Sequence, residues 1–238
     1  PGHVSLYNVL ITVEKDTLIY SERVVVDVFI EPILNQNIIA PSVLLKNPRM
    51  NFVRSAKDSL WNFSRLTKPS EDSSKSSPPD WKIKVSSLKI ENADIVFQDS
   101  IAMQKNPYGV DYMNMKLTDF NLDIRAEIKL KTNDMSFNIK KLNFKEENSG
   151  WKTDNISLNA DMNSKGIFLN NFEYISPYSS FKIEASLSQI NIFDKGDIES
   201  AQVKAKIEGD KIASKDLRLI AKLPVELSGN YIFDFQAE

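Results

Sequence analysis

Residues 120–130 read FNLDIRAEIKL, and the alternation in them does not slip once. Phe120, Leu122, Ile124, Ala126, Ile128 and Leu130 fall on one face, and Asn121, Asp123, Arg125, Glu127 and Lys129 on the other. Period two is the mark of a strand with one buried and one wet face. At about 3.3 Å per residue this strand alone runs roughly 36 Å, about twice the usual length. The same pattern recurs in Trp81-Ile83-Val85, Met135-Phe137-Ile139, Ile156-Leu158-Ala160-Met162 and Phe181-Ile183-Ala185-Leu187. It returns in Val203-Ala205-Ile207, in Leu217-Leu219-Ala221-Leu223-Val225-Leu227 and in Tyr231-Phe233-Phe235. The expected fold is all-β, of long antiparallel strands with at most a short helix.

Several runs change phase midway. Val85 gives way to Leu88 and Ile90 across Ser86-Ser87, Ile139 to Leu142 and Phe144 across Lys140-Lys141, and Leu187 to Ile190 and Ile192. A one-residue slip would send the apolar set to the wet face, so a bulge or a short turn must absorb each extra residue. The best helical signal is Ser59–Lys68, where Asn62 is placed to cap a short helix over 61–67 carrying Phe63 and Leu66. Lys68 to Asp80, KPSEDSSKSSPPD, offers nothing apolar to bury and reads as a polar linker loop. The expected organisation is an N-terminal β segment over 1–67, the linker over 68–80, and a continuing β-groove over 81–238. No helices are long enough to cover a sheet, which excludes the α/β classes. Apolar strand faces must still meet a second sheet, close on themselves, or line a trough, and periodicity does not choose among the three.

Composition narrows the chemistry. Thirty Lys and Arg against 32 Asp and Glu give a formal net charge of -2 over 238 residues. Such a chain lacks the basic footprint that nucleic acid requires. With no cysteine and one histidine, His3, thiol chemistry, disulfides and most His-based metal or acid/base schemes cannot be assembled. No cofactor, metal site or catalytic residue is expected, and the chain is expected not to be an enzyme. Asp94 with Asp99, and Glu146 with Glu147, are adjacent acids of the kind that solvated strand faces carry. Lys140-Lys141 and the row Lys82, Lys84, Lys89 suit either a wet face or anionic head groups. Trp61, Trp81 and Trp151 suit packing better than a membrane interface. No apolar run reaches the roughly 18–20 residues of a membrane span, and the chain is expected to begin within a longer protein.

The order of motifs resembles the AsmA-like superfamily. VSLYNVLITVEKDTLIYSERVVVDVFIEPIL is followed by Val43, Leu44 and Leu45 and then, after Pro48, by Met50 and Phe52. Trp61-Asn62 comes next, with Leu60 where the family often has Gly, and then the linker. After it come Ile83, Leu88, Ile90, Asn92, Ala93, Ile95, Phe97 and Asp99, similar to the family's "I..L.I.NA.I.F.D" strand pair. Ser149-Gly150-Trp151, Leu169-Asn170-Asn171-Phe172 and Ser176-Pro177-Tyr178-Ser179 resemble the TamB branch. Together the likeness covers about three quarters of the chain.

That resemblance implies a periplasmic segment of a protein anchored in the inner membrane by a helix upstream of Pro1. It implies an elongated, curled antiparallel β-sheet whose open groove carries phospholipid toward the outer membrane, with an outer-membrane β-barrel protein as a further partner. A phospholipid with about thirty methylenes loses on the order of 24 kcal/mol in crossing water at about 0.8 per CH₂, and an apolar trough removes most of that barrier. The expected groove-lining residues are Phe120, Leu122, Ile124, Ile128 and Leu130, then Phe137 and Ile139, then Phe181, Ile183 and Leu187. Two rival readings stand beside it: a scaffold that pairs its edge strands with outer-membrane proteins, and a glycan-binding β-sandwich or solenoid.

Overall fold

The computed structural model describes residues 2–14, 16–29, 37–67, 82–102, 109–129, 134–190, 201–222 and 233–237. The chain opens with a long hairpin, β1 (Gly2–Val13) and β2 (Asp16–Val28), followed by the short strands β3 (Asn37–Ala40), β4 (Ser42–Lys46) and β5 (Arg49–Arg54). A 3₁₀ helix spans Asn62–Thr67. Then come β6 (Lys82–Asp99), β7 (Asn114–Lys129), β8 (Asp134–Glu146) and β9 (Lys152–Asn163). The series ends with β10 (Gly166–Ile175), β11 (Ser180–Ser188), β12 (Gln202–Lys211), helix α1 (Ser214–Ala221) and β13 (Phe233–Ala237).

Among the described residues all thirteen strands belong to one curled sheet, whose main path runs β1-β2-β4-β6-β7-β8-β9-β10-β11-β12-β13. The pairing is antiparallel except beside β6, where β3, β4 and β5 all run parallel to it. Chain direction explains the exception. β5 leads through the 3₁₀ helix and the segment beyond it before β6 begins, and a connection that long permits a parallel return. The linker expected at 68–80 lies outside the described residues, as do Trp81 and Leu130.

The phase changes in the sequence are register shifts in the ladder. The β6–β7 register shifts between Val85 and Leu88, and the β8–β9 register between Ile139 and Leu142. Further shifts occur where Asn92, Asp119 and Asn171 take positive φ (55°, 52° and 60°) within β6, β7 and β10. Asn and Asp tolerate this left-handed conformation because their short polar side chains bond locally. Asn121 accepts from the Asn92 backbone N–H at 3.0 Å and donates to the Asp119 carbonyl at 2.8 Å. These residues form a crease across neighbouring strands, where bulging strengthens twist and bends the sheet. Ala93, fully buried beside Asn92, sits opposite Phe120 in the crease.

Two local expectations need correction: the cap assigned to Asn62 and the strand assigned to Leu217–Ala221. The segment at 62–67 is 3₁₀, and Asn62 does not cap it. Its side chain clamps β5 instead, accepting from Val53 N–H at 3.2 Å and donating to the Asn51 carbonyl at 2.7 Å. Leu217, Leu219 and Ala221 belong to α1, not to a strand; the rest of that alternating run, Leu223 to Leu227, lies outside the described residues.

Candidate functional site: an apolar trough closed at one end

Register carries one apolar row after another across the sheet. Ala126 of β7 lies in line with Phe137, Ala160, Leu169, Ala185 and Ala205 of the five strands that follow. On one side of this row stand Leu88, Ile124, Ile139 and Leu158, and on the other Met135, Met162, Ile167 and Leu187. Four alanines between rows of larger side chains make a shallow furrow that crosses the strands. Its walls are half-buried, and among the described residues no second sheet covers them.

Along the strands, to one side of the furrow, the apolar face closes where β8 to β11 reach a common end. There Phe144, Trp151, Ile156, Tyr174 and Phe181 are buried together with Val110 and Ile212. Helix α1 lays Leu217, Leu219 and Ile220 against this cluster. It is held across the end of the sheet to the segment before β7: the Leu219 carbonyl accepts from Val110 N–H at 3.0 Å, and the Ile220 carbonyl from the Tyr112 hydroxyl at 2.6 Å. Gly109 has φ +78°, and a Cβ there would lie 2.5 Å from the Leu219 carbonyl oxygen, so only glycine allows this approach. At the same edge Trp61 stacks on Phe97 at 4.6 Å and on Phe63 at 5.8 Å, closing the trough over β5 and β6.

Three polar devices fix the closed end. The Ser176 hydroxyl donates to the buried Asp216 carboxylate of α1, and Ser179 Oγ accepts from Ala213 N–H at 2.9 Å. The Ser176–Ser179 turn is thus a socket for the helix. In the β8–β9 turn, buried Glu146 accepts from Ser149 N–H and Oγ, each at 2.6 Å, and from Lys116 N–H at 3.1 Å and Asn148 N–H at 3.2 Å. Burial pushes the Glu146 carboxyl up, but these donors outweigh it and hold the group below the usual carboxylate range. Trp151 Nε1 donates to the Tyr174 hydroxyl at 3.0 Å, and burial pushes that phenol up to about 12. Asp99, beside Arg54 at 3.2 Å, accepts from Ile101 and Ala102 N–H, and the Ile101 bond chiefly lowers its pKa. Glu146 and Asp99 thus anchor the segments that follow β8 and β6, and Asp216 anchors α1.

The expected groove residues divide along this axis. Ile124, Phe137, Ile139 and Leu187 stand in the half-buried part, and Ile183, also half-buried, packs against the filled end. Leu122 and Phe120 lie at the boundary, where Phe120 stacks on Phe144 at 6.4 Å and contacts both buried clusters. Phe181 falls in the filled end, 4.9 Å from the Tyr174 ring. Ile128 lies in β7, with its side chain outside the described set. On the opposite face charges pair across strands: Lys89 with Asp123 at 3.7 Å, Lys46 with Glu91 at 3.4 Å, and Lys182 with Glu173 at 3.9 Å. Such exposed pairs contribute about 0–1 kcal/mol each and form no cationic rim.

One constellation was not legible in the sequence. His3 Nδ1 lies 2.7 Å from Asp27 Oδ1, and Ser5 Oγ lies 3.5 Å from His3 Nε2. Residue types and order match a nucleophile relay, but such a relay also needs a concavity for the acyl group and donors for its oxyanion. His3 is 62% exposed on an open sheet face, and the contacts tie β1 to β2. Among the described residues no cluster of three His, Cys, Asp or Glu suits a metal, and no helix is long and apolar enough to cross a membrane.

Comparison with protein-family models, curated proteins and solved structures finds no match. The likeness to AsmA-like proteins therefore rests on the ordered motifs alone. The structure gives two of those motifs a local role: Ser176–Ser179 seats α1, and Asn92-Ala93 makes the crease.

Proposed function

We propose that the furrow holds the acyl chains of phospholipids. The chain would then serve as a periplasmic segment of an inner-membrane-anchored protein of the AsmA/TamB type, moving lipid between the membranes without chemistry. The observation that carries this reading is the alanine-floored furrow, half-buried between rows of larger apolar side chains and bounded along one side by the buried cluster under α1. From Ala126 of β7 to Ala205 of β12 the furrow crosses five strand spacings, about 24 Å, longer than the roughly 15 Å that one tail spans in half a bilayer core. A contiguous apolar surface of this extent on a soluble sheet marks an interaction site. The test is uptake of a phospholipid carrying a fluorescent acyl tail. Saturable uptake, displaced by unlabelled phospholipid and not by its water-soluble head group, is expected. Absence of saturable uptake overturns the reading.

A second reading has its own observation. β1 ends the sheet path, and from Val4 to Val13 it carries no charged residue while exposing Val4, Leu6 and Leu10. Natural edges are usually blunted by Lys, Pro or bulges, and this one offers its backbone to another strand, interrupted by the Asn8 kink, φ 52°, and by a register shift between Ile11 and Thr12. Photo-crosslinkers at Leu6 and at Ile139 separate the two: capture of unfolded β-barrel protein at Leu6 favours edge pairing, and capture of lipid at Ile139 favours the furrow.

A further inference from the structure

We propose that the face opposite the furrow carries a binding track for a neutral oligosaccharide. A twisted sheet is a saddle, concave along one diagonal on each face. Behind the backbone of Ala126, Phe137 and Ala160 lies a hollow of about 710 Å³, flanked by Arg125, Glu127, Ser136, Asn138, Asn159 and Asp161. All six stand out of phase with the furrow residues beside them in sequence. A second hollow, of about 500 Å³, shares Glu127, Ser136 and Asp161 and adds Phe168 and Asn170. A third, of about 460 Å³, shares Phe168 and ends at Ser188 and Gln189. Each is within the size range of ligand sites, about 300–1,000 Å³. From Ser87 in β6 to Ser188 in β11 the track crosses five strand spacings, about 24 Å.

The lining decides the ligand class. Arg125, Asn138, Asn159 and Asn170 are in register on four neighbouring strands, β7 to β10. Asn138 donates to Asn159, and Asn170 donates to Asp161 at 3.2 Å, so the amides are held in place with donors and acceptors left over. An array that both donates and accepts matches vicinal hydroxyls, which do the same. Phe168 stands in register with Asp161 and Ser186 on this polar face, unlike the aromatics of the closed end. Its ring gives a flat apolar platform for the C–H face of a sugar. Arg125 and Lys165 are set against Glu127, Asp134 and Asp161 along the track, which disfavours phosphate and acidic glycans.

The experiment is an NMR titration of the whole chain with chitotetraose and, separately, cellotetraose. Saturable amide shifts confined to the polar-face residues of β7 to β10 are expected with at least one of them. Phe168→Ala and Asn159→Ala are each expected to weaken binding about tenfold, the loss of one good contact. Asp161→Ala, an exposed substitution that leaves packing intact, is expected to do the same. Uptake of fluorescent phospholipid by all three variants is expected to stay at the unsubstituted level, which separates this site from the furrow. No saturable shift with either sugar, shifts confined to the furrow, or unchanged affinity in the exposed Asp161→Ala variant overturns the proposal.

Discussion

Ile124→Asp places a charge in the wall of the furrow. Ile124 stands between Leu88 and Ile139 in the ladder and is half-buried, so the side chain it replaces is in reach of a tail on the alanine floor. A carboxylate there keeps its water, and about three methylenes beside it lose their apolar contact. At about 0.8 kcal/mol each this removes about 2.4 kcal/mol, or about 60-fold in affinity. The fold survives the change. A half-buried Ile contributes about 1 kcal/mol, against a total stability of about 5–15 kcal/mol. The assay is a fluorescence titration with tail-labelled phospholipid, paired with urea unfolding to verify that the protein remains native. Lys204→Ala, on the exposed opposite face, is expected to bind as the unsubstituted chain does. A folded Ile124→Asp protein with unaltered lipid affinity would refute the furrow as the binding surface.

Other expectations concern the scaffold. Gly166 has φ +143°, and a Cβ there would lie 1.9 Å from the Leu187 carbonyl oxygen; Gly166→Ala should cost about 2–4 kcal/mol in urea unfolding, beyond the ordinary glycine effect. Asp216→Ala removes the acceptor of the Ser176 hydroxyl proton, although the Ser176 oxygen still accepts from Tyr178 and Ser179 N–H, and loosens α1 in its socket. A loss of about 1–3 kcal/mol is expected, together with a red shift of Trp151 fluorescence as the closed end admits water. Glu146→Gln replaces a carboxylate that accepts four donors and should cost about 1–3 kcal/mol at neutral pH. Because the folded pKa of Glu146 is depressed, its contribution is present above the ordinary value of about 4.3 and is lost as pH falls through the lower folded value. Unfolding curves across that acid window should flatten in the Gln variant; an unchanged slope contradicts the assignment.

Alternation made the strands readable, because a face that must stay dry leaves a period of two in the chain. The slips at Ser86-Ser87 and Lys140-Lys141 were readable for the same reason. The crease was not, since Asn92, Asp119 and Asn171 are ordinary polar residues until the ladder shows their left-handed backbone. Helix α1 was hidden by a double pattern. Leu217, Leu219 and Ala221 alternate as a strand would, while Leu217, Ile220 and Ala221 share a helical face. The Asp216–Ser176 contact and the Leu219–Val110 bond favour the helix, and each joins segments at least 40 residues apart in the chain. Phe181 shows the limit of phase as a guide to the site. It alternates in step with Ile183 and Leu187, yet it stands in the filled end because α1 closes over that row. The polar track was invisible for a related reason: Phe168 looks like any strand aromatic until register sets it on the wet face.

The most direct measurement is native mass spectrometry of the whole chain expressed in bacteria, released gently and then extracted for lipid. A population carrying phospholipid is expected, lost after delipidation and restored by incubation with vesicles. A single lipid-free species that vesicles leave unchanged would contradict the central claim.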